Sequence, residues 1–167
     1  GHGGAIAVTS EEGSGTSFRL LFPVAQDVAA ETKIPVGDWK PSGTILVIDD
    51  EWMIRDVLQY MLMQIGFSVI TAPDGGTGVE LYSRHSQEIV GVLLDVIMPG
   101  ITSEETFLHI RRLNRNARIV LSTGSPEEVA RDRFMGKDIA GVIHKPYKQE
   151  ELERALKRML PMVEPVP

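Results

Sequence analysis

The chain of 167 residues contains no cysteine. That excludes disulfides, thiolate metal sites and cysteine nucleophiles together, and it suits a reducing compartment. No apolar run approaches the roughly 18 residues of a membrane span and no signal-peptide pattern opens the chain, so a soluble, cytoplasmic segment without membrane contact is expected. Basic runs are missing too. Lys and Arg total 17 against 23 Asp and Glu, a net charge of −6, which leaves no cationic track for a phosphate backbone and argues against direct nucleic-acid binding. There is no internal repeat, and His2, His85, His109 and His144 show no metal-ligand spacing. With 43% hydrophobic residues, the length suffices for one good core and a small appendage.

What is present changes character along the chain. "GHGGAIAVTSEEGSGTSFRLLFP", residues 1–23, carries two strand-like runs, Ala5 to Ser10 and Thr16 to Phe22, around "EEGSG", a hairpin pattern. A lone hairpin is marginal in water, so this one is expected to belong to a larger sheet. Residues 24–43 keep no periodicity and read as a linker. From residue 44 to 160 short apolar runs alternate with amphipathic ones, and residues 161–167 form a tail. Strands are predicted at Ile45 to Ile48, Phe67 to Thr71, within "EIVGVLLDVIM", within "ARIVLST" and at "GVIH". Helices are predicted from Ile54, with Ile54, Val57, Leu58, Met61, Leu62 and Ile65 on its apolar face, from the cap Asp74, from the Thr102/Glu105 capping box, from Ser125 with Pro126, and over Leu152 to Leu160. The glycines at 75, 76 and 78 predict a loose first turn in the second helix.

All-apolar strands in five βα units imply a parallel sheet covered by helices on both faces, with ligands beyond the carboxyl ends of the strands. Those ends carry Asp49 and Asp50, Asp95, Thr123 and Lys145. Converging carboxylates raise one another's pKa unless a cation intervenes. With oxygen donors only, Mg²⁺ is the favoured ion. Phosphoryl transfer needs positioning and charge neutralisation, and a carboxylate serves as covalent acceptor. Asp95, on a different strand from the Asp49/Asp50 pair, is the candidate nucleophile.

From about residue 43 to residue 160 the chain resembles the receiver domains of bacterial two-component response regulators, with "ILVIDDE", "LLDVIMPG", "VLSTG" and "HKPY" in the family's order and spacing. The resemblance implies a flavodoxin-like, doubly wound five-stranded sheet of order 2-1-3-4-5. It further implies that Asp95 accepts phosphate from a phosphohistidine on a kinase or a histidine phosphotransfer protein. Asp50 would bind Mg²⁺ directly, Asp49 partly through water, and the backbone carbonyl of Ile97 would complete the set. Lys145 would pair with the acids and then the phosphoryl group, Thr123 would move to hydrogen-bond it, and Pro146 would follow a cis peptide bond. Ile97 and Ser125 would tune the phosphate's lifetime, and the last two helices offer a face for a receiver dimer. Residues 1–23 are similar to the final hairpin of the ATP-binding domain of sensor histidine kinases. The order hairpin, linker, receiver is that of a hybrid histidine kinase, of which this would be the C-terminal portion; the motifs that hold ATP are absent, so the segment is at most a phosphoacceptor with autodephosphorylation.

Two positions depart from the family. Val142 stands three residues before Lys145, where an aromatic switch residue is common, and Ser103 stands where glycine is common. Val142 favours an alternative reading as a phosphorylation-independent interaction module. An aspartyl-phosphate phosphatase would usually place a second acid two residues after its nucleophile, and Ile97 occupies that position.

Overall fold

A computed structural model describes residues 4–22, 41–126 and 132–160. Most of the expected linker, the tail and the first turn of the helix expected from Ser125 lie outside these residues. The chain divides into two units with the boundary near residue 38.

The first unit is a hairpin of β1 (Ala5–Glu11) and β2 (Gly15–Leu21), paired antiparallel with Ile6 opposite Leu20 and Val8 opposite Phe18. Side chains alternate across a strand, so these four share one face. All four are exposed.

The second unit is a five-stranded parallel sheet made by β3 (Thr44–Ile48), β4 (Ser68–Ala72), β5 (Ile89–Asp95), β6 (Ile119–Thr123) and β7 (Gly141–His144). The order is β4-β3-β5-β6-β7, the 2-1-3-4-5 arrangement counted within this unit. Three described helices join consecutive strands, α1 (Trp52–Ile65), α2 (Gly75–His85) and α3 (Ser103–Leu113), and α4 (Gln149–Met159) follows β7. The sheet separates two cores. Ile45 and Val47 pack with Leu58, Leu62, Leu152 and Leu156 of α1 and α4, whereas Leu46 and Ile48 pack with Tyr82, Phe107 and Ile110 of α2 and α3. That two-residue alternation explains why β3 reads as uninterrupted aliphatic sequence: both of its faces are covered. The chain leaves β3 outward to β4 and returns on its other side to β5. The crevice beyond the ends of β3 and β5 is therefore the topological switch point where open α/β sheets place ligands.

Local signals explain the helix starts. The Asp74 carboxylate accepts from the Thr77 N–H and hydroxyl, each at 2.8 Å, and Thr102 and Glu105 form the expected reciprocal box. Acidic residues open α4 and basic residues close it, which suits the helix dipole.

The expectation of a loose first turn in α2 is corrected. A Cβ on Gly75 would lie 2.0 Å from Thr106 Oγ1, and one on Gly78 would lie 2.5 Å from Ile48 Cδ1. Both glycines are buried and let the α2 backbone approach β3 and α3 more closely than any side chain allows. The second strand is shifted by one residue, to Ser68–Ala72. Helix α1 also has two apolar stripes rather than one. Leu58 and Leu62 face the core, whereas Val57, read as part of that face, is exposed together with Trp52, Met53, Tyr60 and Met63. At 3.6 residues per turn these five fall within about 140° of arc. Met135 is likewise exposed.

Candidate functional site

Strand β3 ends by delivering Asp49 into the crevice, and the strand's own burial takes the carboxylate with it: Asp49 is 1% exposed. Its Oδ1 accepts the Glu51 N–H at 3.0 Å, which turns the chain into α1. Asp50 follows on the solvent side. Strand β5 ends on Asp95, 5% exposed, whose Oδ1 lies 3.3 Å from the Ile97 N–H. One oxygen from each of Asp49, Asp50 and Asp95 falls within 4.8 Å of the others.

Lys145, at the end of β7, reaches across. Its Nζ donates to Asp95 Oδ2 at 2.9 Å and lies 2.8 Å from Asp49 Oδ2 and 3.5 Å from Glu51 Oε1. The ammonium is aligned on Asp95. Asp49 Oδ2 therefore has an ion-pair partner without an aligned donor, and it is one of only two buried side-chain polar atoms among the described residues left without a hydrogen bond. Burial pushes the Asp49 carboxyl above the usual carboxylate range; the Lys145 contact opposes this and the Asp95 charge reinforces it. Burial alone would lower the Lys145 pKa, but the Asp49 and Asp95 carboxylates beside it together outweigh burial and hold the ammonium above the ordinary lysine range. The peptide bond from Lys145 to Pro146 is cis.

Thr123, at the end of β6, is fully buried and turned toward its own loop. Its hydroxyl accepts the Ser125 N–H at 3.0 Å and donates to the Ser125 carbonyl at 3.4 Å. Ile97 is exposed at the mouth of the crevice, and Val142 is partly buried against the core on the α2/α3 face. Tyr147, two residues past Lys145, bonds the Ser122 hydroxyl on β6. Its phenol is pushed up to about 12, chiefly by burial, against the Ser122 bond.

Three polar side chains that organise the site were not singled out for it from the sequence. Arg55 Nη1 donates to the carbonyls of Asp49 at 2.7 Å and Asp50 at 3.0 Å, holding the acidic loop from behind. Arg133 holds the loop after β5, donating to the Val96 carbonyl at 2.9 Å, and pairs with Glu104. Ser103, the departure from glycine, sits with its hydroxyl 2.7 Å from the Asp95 carbonyl and 2.8 Å from that of Val96. A glycine there would leave both without this donor. Only Ser103 carried a signal in the sequence, because it broke a family pattern.

Comparison with known proteins bears on this arrangement. The family model described as response regulator receiver domain matches residues 45–157. The chain belongs to this family. Among curated relatives, the receiver and hairpin together resemble the sensor histidine kinase AruS of Pseudomonas aeruginosa, 30% identical over 92% of this chain and 16% of AruS. The sensor kinase CckA of Brucella abortus is 26% identical over 95% of this chain and 18% of its own length. The chain thus spans less than a fifth of these two kinases. Among solved structures, the receiver domain of the sensor histidine kinase PA1611 from Pseudomonas aeruginosa has a magnesium ion coordinated in its active site cleft. It superposes with a TM-score of 0.64 at 25% identity, over 71% of this chain and 98% of that one. The response regulator TrrA of Thermotoga maritima, solved with Mg²⁺ and a beryllofluoride group, gives a TM-score of 0.60 at 30% identity over 71% of this chain and 99% of that one. This receiver is accordingly a two-component signalling module. No described helix is long and apolar enough to cross a membrane.

Proposed function

We propose that this receiver is a phosphoacceptor, taking a phosphoryl group from a phosphohistidine onto Asp95. The observation that carries the reading is the Lys145 ammonium suspended between two buried carboxylates, Asp49 and Asp95, at 2.8 and 2.9 Å. Nothing in folding requires two buried carboxylates to converge there, and perturbed groups gathered in a crevice mark functional sites.

The residues fit a hard cation. They offer oxygen donors only, and Asp49 Oδ2 is buried without an aligned donor. Asp49, Asp50, the Asp95 carboxylate and the Ile97 carbonyl would hold Mg²⁺, which would neutralise the phosphoryl oxygens during transfer. An Asp95 carboxylate oxygen attacks phosphorus, the phosphorus–nitrogen bond breaks, and the imidazole leaves with a proton in place of the phosphoryl group. Forming the acyl phosphate removes the Asp95 carboxylate charge that Lys145 had been meeting and puts the charge on the phosphoryl oxygens. The ammonium then turns to the new phosphoryl oxygens, staying charged because its pKa already stands high. Thr123 must give up its contacts with Ser125 to reach them. That exchange moves the loop after β6 and supplies the two-state element through which a phosphate is read.

The wider arrangement follows from the same reading: residues 1–23 close a kinase ATP-binding domain, 24–43 link it, and 44–160 form the receiver of a hybrid histidine kinase. The exposed stripe on α1 begins at Trp52, beside Glu51, and is the surface on which the donor docks. The test is incubation of the purified chain with Mg²⁺ and acetyl phosphate, read by intact mass beside Asp95→Asn. One adduct that needs Mg²⁺ and disappears in the variant is expected; an adduct that persists in Asp95→Asn, or none in the wild type under any condition, would sink the reading.

A further inference from the structure

The guanidinium of Arg133 is shared among three parts of the fold. It belongs to the chain between β6 and β7, it grips the first turn of α3, and it holds the backbone next to Asp95. Nε and Nη2 donate to the two carboxylate oxygens of Glu104 at 2.6 and 3.0 Å, a fork-to-fork pair, and Nη1 donates to the Val96 carbonyl at 2.9 Å. Neither partner is freely solvated, with side chains 35% and 23% exposed. Burial works against the Glu104 charge, but the Arg133 bond, a backbone N–H and the Arg133 and Lys137 charges together outweigh it and hold the carboxyl below its usual range.

The position of the Val96 carbonyl gives this contact its meaning. The Val96 C=O and the Ile97 N–H are the two ends of one peptide group, which is planar and rotates as a unit. Arg133 holds one end, and the other end points at Asp95 Oδ1 from 3.3 Å. A turn of that plane would carry the Ile97 N–H away from the carboxylate and would swing the Ile97 carbonyl that follows. Ser103 supports the same carbonyl from α3, but its single hydroxyl proton is divided between Asp95 and Val96. Arg133 brings a donor committed to Val96.

Its own placement is firm. Phe134, the next residue, is 2% exposed and meets Phe107 of α3 edge to face at 5.7 Å. Arg111 of α3 bonds the Asp138 carbonyl and carboxylate further along the same segment. Of these contacts between the segment and α3, only Arg133 extends to the crevice.

We infer that Arg133 is a positioning residue: by gripping the Val96 carbonyl and Glu104 together it sets the Val96–Ile97 peptide plane, and through it the orientation of the Asp95 carboxylate and the Ile97 carbonyl. The part concerning metal rests on the phosphoacceptor reading; the part concerning the peptide plane does not.

The test compares the wild-type chain with Arg133→Ala, the milder Arg133→Lys, and Arg111→Ala. The last loosens the same segment from α3 without touching the crevice. In metal-free protein, amide spectra of Arg133→Ala and Arg133→Lys should show the Ile97 and Asp95 resonances displaced, while Arg111→Ala leaves them in place. Calorimetric titration with Mg²⁺ alone should give a Kd raised about tenfold in Arg133→Ala, the low end of what outer partners of metal ligands contribute, and unchanged in Arg111→Ala. Unmoved Ile97 and Asp95 amides in both Arg133 variants would overturn the inference, as would an equal displacement in Arg111→Ala. A wild-type chain that binds no Mg²⁺ would overturn the phosphoacceptor reading instead, and the amide spectra would still decide whether Arg133 positions the loop.

Discussion

Replacing Asp49 by Asn should make the metal-free receiver more stable and the Mg²⁺-loaded receiver less stable than the wild type. The Asp49 carboxylate is 1% exposed, and burial pushes its pKa above the ordinary 3.8. A group raised in the folded state contributes stability that is present below its unfolded pKa and lost as pH rises through its folded one. At pH 7 the ionised group therefore opposes folding. Asparagine keeps the shape and an oxygen for the Glu51 N–H, and it removes the repulsion with Asp95; Lys145 keeps Asp95 as its partner. The expected gain is about 1 kcal/mol, within the range for relieving a functionally destabilised position. Mg²⁺ reverses the order, because a ligand at 100 times its Kd stabilises the folded wild type by about 2.7 kcal/mol and a variant short of one ligand by much less. Urea unfolding of both chains at pH 7, in EDTA and in saturating Mg²⁺, measures all four values. An Asp49→Asn chain that is less stable in EDTA would show that Lys145 more than compensates the buried charge, and the reasoning would be wrong.

Other perturbations test other links. Gly78→Ala places a Cβ 2.5 Å from Ile48 Cδ1, so overpacking of about 1–3 kcal/mol should exceed the roughly 1 kcal/mol gained in helix propensity; a net gain in urea unfolding would mean Ile48 yields. Tyr147 ionises at about 12 in the fold against 10.0 unfolded, so the unfolded chain releases its proton first and stability falls as pH rises from 10 toward 12. Tyr147→Phe should start about 1 kcal/mol lower with the Ser122 hydroxyl unpaired and lack that decline in unfolding curves taken across the window. Val57→Asp with Tyr60→Ala should leave labelling by acetyl phosphate near wild type and slow transfer from a phosphorylated histidine kinase core by about tenfold, a typical loss for central interface positions. Equal slowing of both reactions would remove α1 as the docking face.

The strands and the crevice were legible because a parallel strand covered on both faces must be apolar throughout, so Ile45 to Ile48 could end only where polarity resumed, at Asp49. The same logic places Asp95, Thr123 and Lys145 at strand ends. Other features had no such signature. Arg55 and Arg133 bind backbone carbonyls, and a carbonyl has no residue identity to read. Gly75 and Gly78 look like helix-weakening residues along the chain, since sequence records a missing side chain and not the neighbour that would collide with it. On α1, Val57, Met53 and Met63 compete with Ile54, Leu58 and Leu62 as the apolar face, and only the packed sheet decides between them.

Trp52 gives the site a practical property. Its indole begins α1 directly after Glu51, whose carboxylate stands 3.5 Å from Lys145 Nζ, and it is 63% exposed. Indole emission responds to nearby charge and to water. The chain has two tryptophans, so a Trp39→Phe version carries a single indole, at the start of α1 and one residue from Glu51. Cation entry, phosphoryl loading and donor release would then each register in real time as a change in light, with no label attached.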